Sequence, residues 1–172
     1  MNAHGATRYV LARGSIDEAK ELWPFIKWCL DYTRRQLNDA GVPRSDRDEL
    51  EGRFPAGEAN LCTATLYYDG LVSAAYLAPL VGEPKSVANE YKKQAEALYK
   101  AINNYFSANV SGYETYRYYD GNTVLRSWIC MPLCFGFKER AEGTIEALYS
   151  PKLLTVDGLL TAEGDVTFWD RS

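Results

Sequence analysis

The sequence holds a single histidine in 172 residues, His4, along with four cysteines and two methionines. It has no run of about 18 apolar residues of the kind that spans a bilayer. Each scarcity removes a class of protein. With no second imidazole, and with His4 beside a terminus expected to be loose, a Ser-His-Asp or Cys-His triad lacks its usual base. The cysteines (Cys29, Cys62, Cys130, Cys134) are scattered through apolar stretches, the last two four residues apart in "WICMPLCF". That spacing with one histidine does not make a zinc site, and all four read as small buried hydrophobes. Basic charge is also short: 19 Lys and Arg against 23 Asp and Glu leave a net charge of −4, the wrong sign for a phosphate backbone. The opening "MNAHGATRYVLARG" lacks the apolar core of a secretory signal, which leaves the cytoplasm as the default location. The expectation is a chain that binds no nucleic acid, enters no membrane and uses no metal or cofactor. Any chemistry then falls to carboxylates.

What the chain has in quantity is aromatic rings: 13 Tyr, 6 Phe and 4 Trp, 13% of residues. Rings fill cores, and they also stack on the flat apolar faces of ligands, sugars included. A hydrophobic content of 47% with 24% charged residues is that of an ordinary folded domain, and the length suits one domain with a real core.

Helical patterning dominates. "SIDEAKEL" opens with a capping box, Ser15 as N-cap and Glu18 three residues on. Pro24 suits the first turn of a following helix, "PFIKWCLDYTRRQLND", with Phe25, Cys29 and Tyr32 on one side and Ala40-Gly41 as its end. Residues 60–82 carry one charge, Asp69, and are expected to be buried on most sides. In the next helix, 86–106, Val87, Tyr91, Ala95, Leu98, Ile102 and Tyr105 repeat at the helical period, so one face meets solvent. Residues 124–137 again read as a buried helix and 139–149 as an amphipathic one with Ala141, Ile145 and Leu148 inward. Alternation of buried and half-exposed helices is the pattern of helical hairpins stacked in two layers. The expected class is all-α, with one β-like excursion at 113–119 ahead of the Asp120-Gly121 turn signal.

The long connections, about 41–59 and 107–122, fall at one end of those hairpins, where binding sites collect. The first, "DELEGRFPAGEANL", packs Asp48, Glu49, Glu51 and Glu58 beside Arg47 and Arg53. Neighbouring carboxylates compete for charge, so one can stay protonated as a general acid while an arginine keeps another ionised. An exposed acidic turn is the bland alternative. The second long connection holds Tyr118, Asp120 and Asn122 and leads to Arg126 and Trp128. An arginine in an apolar helix needs a partner, and either a carboxylate of the first loop or a structural salt bridge supplies one. The tail "TFWDRS" repeats the mix of ring, acid and arginine with Trp169 and Asp170. Such loops describe a carbohydrate cleft.

Three segments carry a resemblance. "AKELWPFIKWCLDY" is similar to a helix that recurs in the six-hairpin glycosidases, the α/α-toroid enzymes related to glucoamylases, trehalases and the glycogen-debranching amylo-glucosidase domain. "NLCTATLYYDGLVSAAYLA" resembles their inner helix after the general-acid loop, and "ERAEGTIEALYSPKLLTVDGLLT…TFWDRS" the approach to their late aromatic loop. The resemblance implies a glycoside hydrolase on an (α/α)6 toroid, acting by inversion through two carboxylates about 6.5–9.5 Å apart. It places the general acid at Glu51, with Asp48 and Glu49 behind it. Substrate contacts then fall to Arg53, Asn60, Tyr118, Asp120, Arg126, Trp128, Trp169 and Asp170. This sequence lacks the tryptophan that many members set beside their acid. Twelve helices of ordinary length need more than 172 residues, so the resemblance implies a single partial domain over 1–172, about half a toroid, without the hairpin that bears the general base. A half-ring would expose apolar inner-helix faces and self-associate, and alone it would be inactive. The alternative is a non-catalytic helical scaffold that binds sugar or protein.

Overall fold

The capping signal at Ser15 works as the sequence suggests. Ser15 is extended (φ −95°, ψ 115°) and its side chain accepts from the Glu18 N–H at 3.2 Å, which satisfies one of the free donors of the first turn. The computed structural model describes residues 2–45, 47 and 55–164. Among them are six α-helices, one 3-10 turn and four short strands, so the chain is mostly helical but not all-α. It divides into two compact units, Met1–Arg44 with Thr63–Ala101, and Ser45–Cys62 with Ile102–Ser172.

The first unit is built from helices. α1, Asn2–Arg13, buries Ala3, Thr7 and Val10, spaced i, i+4, i+7 on one stripe. The loose N-terminus expected from the sequence is therefore a helix. α2, Ile16–Arg34, runs straight through Pro24, against the expectation of a new helix starting there. An interior proline costs about 3 kcal/mol, but the helix buries Ala19, Trp23, Ile26, Cys29 and Leu30 across it, and each large side chain buried contributes about 1.5–3 kcal/mol. The inward face is thus set by Trp23, Ile26 and Leu30. Cys29 joins them, whereas Phe25 and Tyr32 are 44% and 50% exposed, contrary to the face read from the sequence. α2 also stops at Arg34, short of Ala40-Gly41. Beyond it the Asn38 side chain accepts from Ala40 and Val42 N–H groups.

α3, Leu61–Leu80, is buried on nearly all sides, as its single charge suggested. Leu71, Ala74, Ala75, Leu77 and Ala78 lie in the core, and exposure returns only at Val72, Tyr76, Pro79 and Leu80. α4, Lys85–Phe106, keeps Tyr91, Ala95, Leu98 and Ile102 on its buried stripe. At either end the stripe is carried by Ala88 and Phe106, with Val87 and Tyr105 half-buried. Trp23 meets Tyr91 edge-on at 6.2 Å, and burial raises the Tyr91 phenol to about 12.

The second unit is made of short pieces. β1, Ser107–Val110, and β2, Tyr113–Tyr116, pair antiparallel with Val110 opposite Tyr113. Ser111 (φ 53°) and Gly112 (φ 94°) form the two-residue connection, and positive φ at both positions is the turn whose twist suits a hairpin. The β-like run is real over 113–116; its partner strand was not read from the sequence. The expected buried helix at 124–137 is absent. Arg126 is extended (φ −131°, ψ 142°), a 3-10 turn covers Ser127–Cys130, and α5 is only Met131–Cys134. Pro132 sits in the first turn of α5 and Gly136 (φ 85°) turns the backbone left-handed, which suits a short helix that starts at Met131 and stops before Gly136. α6, Ala141–Leu148, buries Thr144, Ala147 and Leu148, while Ile145 is 49% exposed, a correction to the predicted face. β3, Leu154–Thr155, and β4, Gly158–Leu159, make a second small hairpin. Val110, Leu125, Ile129, Ala147, Leu148 and Leu153 form the core of this unit. Of the cysteines, Cys29 and Cys62 are buried as expected, but Cys130 is half-buried and Cys134 exposed.

Candidate functional site

In the second unit, two chain segments are laced together just before α3. Asn60 bridges Tyr119 in antiparallel fashion, and the Leu61 N–H donates to the Tyr118 carbonyl at 2.9 Å. Asn60 has no exposed surface, and its side-chain Nδ2 donates to the Arg47 carbonyl at 2.9 Å. One segment further on, the turn Tyr119–Asn122 closes with an Asn122 N–H to Tyr119 carbonyl bond of 3.1 Å. Gly121 takes the positive φ of 85° within it. The Asn122 side-chain oxygen then accepts from the Tyr118 N–H at 3.1 Å. Buried amides thus fix the backbone here by filling donors and acceptors that water cannot reach.

Arg126 is the buried charge of this region, 2% exposed. Its guanidinium lies over the Tyr118 ring, 4.3 Å from the centroid, and its Nη1 donates to the Pro55 carbonyl at 3.1 Å. The ring face supplies a negative quadrupole and the carbonyl a dipole, which together offset part of the desolvation of the cation. Arg126 is held from behind by a bridge to Ala162. Neighbouring backbone bonds run from Ser127 N–H to Thr161 (3.2 Å) and from Glu163 N–H to Leu125 (2.8 Å). Gly57 (φ 63°) packs so closely on Tyr119 that a Cβ there would lie 2.9 Å from the tyrosine Cβ.

Arg117 does different work. Its Nε and Nη2 donate to the Tyr105 carbonyl at 3.0 and 2.6 Å, and its Nη1 pairs with Asp120 at 2.5 Å. A cation on the last carbonyls of α4 satisfies acceptors that the helix leaves open and suits its dipole. The Tyr105 phenol is pushed up, first by burial and then by the charges of Asp120 and Glu58.

Of the residues proposed from sequence, the structure brings Asn60, Tyr118 and Arg126 together. Asp120 is on the surface, its side chain 62% exposed and paired with Arg117. Trp128 stands half-buried in the 3-10 turn after Arg126. Glu51, Asp48, Glu49, Arg53, Trp169 and Asp170 lie outside the described residues. Arg126 does not sit in the helix expected from its apolar neighbours; it is an extended residue with a buried side chain. Sequence reading missed Arg117 as the closing cation of α4 and Pro55 as a carbonyl partner. The missed cue was Arg117 lying directly after a β-like run. Among the described residues no group of three His, Cys, Asp or Glu side chains stands close enough to hold a metal ion. No helix among them is long and apolar enough to cross a membrane.

No protein-family model matches the chain, and a search of curated proteins gives no match.

Proposed function

We propose that the chain is the acid-bearing portion of a glycoside hydrolase of the six-hairpin, α/α-toroid type. Glu51 is its general acid, and Asp48 and Glu49 are the neighbours that tune it. The observation that carries this reading is Arg126: a buried cation whose Nη1 grips the Pro55 carbonyl, at the downstream end of the segment that bears the three acids. In this reading a positive charge favours ionisation of one carboxylate of the segment, and repulsion among acids adjacent in sequence favours retention of a proton on another. That proton is what an inverting glycosidase delivers to the glycosidic oxygen, while a second carboxylate activates water on the opposite face of the sugar. Arg126 serves as a positioning residue and not as a substrate contact. Asn60 fixes the same segment through the Arg47 carbonyl. The sequence α3 then α4, a helix buried on most sides followed by one with a solvent face, supports the stacked-hairpin architecture.

The test is hydrolysis of aryl-glycosides with good and poor leaving groups by the longest natural form of the protein. Glu51→Gln is expected to slow cleavage of the poor leaving group by about 10²–10⁴-fold, as loss of a general acid does, and to slow the good one far less. If Glu51→Gln and Asp48→Asn both leave turnover unchanged, the acid assignment is wrong. A non-catalytic sugar- or protein-binding scaffold is the second reading, favoured by the depth of Arg126, whose ring and carbonyl contacts are those of a structural group. Thermal stabilisation by a monosaccharide without hydrolysis would support it.

A further inference from the structure

Two exposed apolar surfaces stand out in the first unit. One is a groove of about 830 Å³ between α3 and α4, lined by Tyr68, Val72, Tyr76, Leu80 and Tyr99 with the exposed Lys92, Glu96 and Lys100 along its α4 side. Tyr76 is 65% exposed and Leu80 45%. The other is a stripe on α2: Phe25, Trp28 and Tyr32, 44%, 59% and 50% exposed, with the Trp28 and Tyr32 rings stacked at 5.7 Å. A spacing of i, i+3, i+7 is that of anchors on a helix that lies in a groove.

We infer that the α3–α4 groove of one molecule takes the α2 stripe of a second copy of this chain. Charge selects the occupant. On the flank of the stripe the exposed Asp31 and Arg35 are one turn apart, acid then base. Along the groove the exposed Lys92 and Glu96 are also one turn apart, base then acid. With Arg35 the cap residue directly after α2, each pair spans about 6 Å, so an α2 docked parallel to α4 sets each charge against its opposite. Tyr68, Tyr76 and Tyr99 line the groove and supply aromatic partners for the three incoming rings, and such pairs add to area burial. Because groove and stripe are different surfaces, the contact is head-to-tail and extends to further copies or closes as a ring.

Three half-exposed rings remove on the order of 300 Å² from water on their side. That is well below the roughly 800 Å² per partner of a standard interface, so the association is weak. Sedimentation of the full chain from about 10 to about 500 µM, the range of micromolar and weaker affinities, tests it. The expected result is an average mass that climbs with concentration. Trp28→Asp and Tyr76→Asp, both at exposed positions, should each stay monomeric, and an equal mixture of the two should yield dimers and nothing larger, since each keeps the surface the other has lost. Lys92→Glu should weaken assembly about fivefold without touching an apolar contact, the scale of one exposed ion pair. A chain that remains monomeric throughout overturns the proposal, and so does a mixture of the two aspartate variants that fails to dimerise.

Discussion

The two units handle buried polarity in opposite ways. In the first, α3 buries Thr65, Ser73 and one charge, the Asp69 carboxylate, 4% exposed, and that charge is answered by side chains far along the sequence. His4 Nδ1 lies 2.7 Å from its Oδ2 and Arg8 Nε donates to the same oxygen at 2.9 Å. In the second, Asn60, Thr115, Asn122, Arg126 and Thr144 are all buried, and their partners are mostly backbone groups or one another. Thr115 and Thr144 share a hydroxyl contact of 2.7 Å. Long helices satisfy their own backbone, so a helical unit has few polar debts inside. A unit of short hairpins and turns leaves backbone groups open, and side chains must fill them.

The sharpest way to break that contrast is Gly143→Ala. α6 lies so close to β2 that a Cβ at Gly143 would stand 2.2 Å from the Glu114 carbonyl oxygen. Backbone cannot yield as a flexible side chain does, so the helix must move away and the Thr115–Thr144 contact with it. We expect a loss of about 3 kcal/mol, at the upper end of overpacking costs, seen as a lower melting temperature with faster amide exchange in α6 and β2.

Asp69→Asn probes the first unit. Its partners are not trapped: the side chain of Arg8 is 54% exposed and that of His4 26%, so both can turn back to water. The expected cost is about 1–2 kcal/mol and not the larger penalty of stranding a buried charge. Amide exchange should rise chiefly in α1, which Asp69 ties down. Equal rises in all four long helices would refute that local role.

The smallest effect should come from Glu83. Lys27 and then the Trp23 indole N–H hold its carboxyl below the ordinary 4.5, through contacts of 2.8 and 2.7 Å. A depressed folded value means that the contribution is present above the unfolded pKa and is lost as pH falls through the folded one. Glu83→Gln should therefore cost about 0.5–1 kcal/mol at neutral pH, discounted for the exposure of Lys27. It should also flatten the decline in stability below about pH 4.5. An unchanged acid limb in urea titrations would remove Glu83 from the account.

The same contrast explains what could be read from residues alone. α3 and α4 were legible because hydrophobic burial writes a 3.6-residue period, or its absence, directly into the chain. α1 was not, since the feature that anchors it, Asp69, is 65 residues from His4. Pro24 misled because local propensity was outweighed by the buried face on both sides of it. Residues 124–137 read as helix from apolarity, yet Pro132 and Gly136 decide otherwise, and β1 follows α4 with no punctuating residue at Phe106-Ser107. Of the candidate site, Arg126 drew notice because a charge in apolar surroundings needs a partner, Tyr118 as a ring of a long connection, and Asn60 only through the resemblance; the groups they meet, such as the carbonyls of Arg47 and Pro55, carry no signature in a sequence.

Those carbonyl contacts have a practical consequence for the acid-bearing segment. Ser45 N–H to Glu58 carbonyl, 2.8 Å, and Asn60 to Arg47 carbonyl, 2.9 Å, clasp the chain where it departs and where it returns. Both bonds lie outside residues 48–54 and join the chain on either side of them. Each doubling of a connecting segment adds only about 0.6 kcal/mol of closure entropy, so segments of other lengths and acid patterns between Arg47 and Pro55 are expected to leave these two bonds in place.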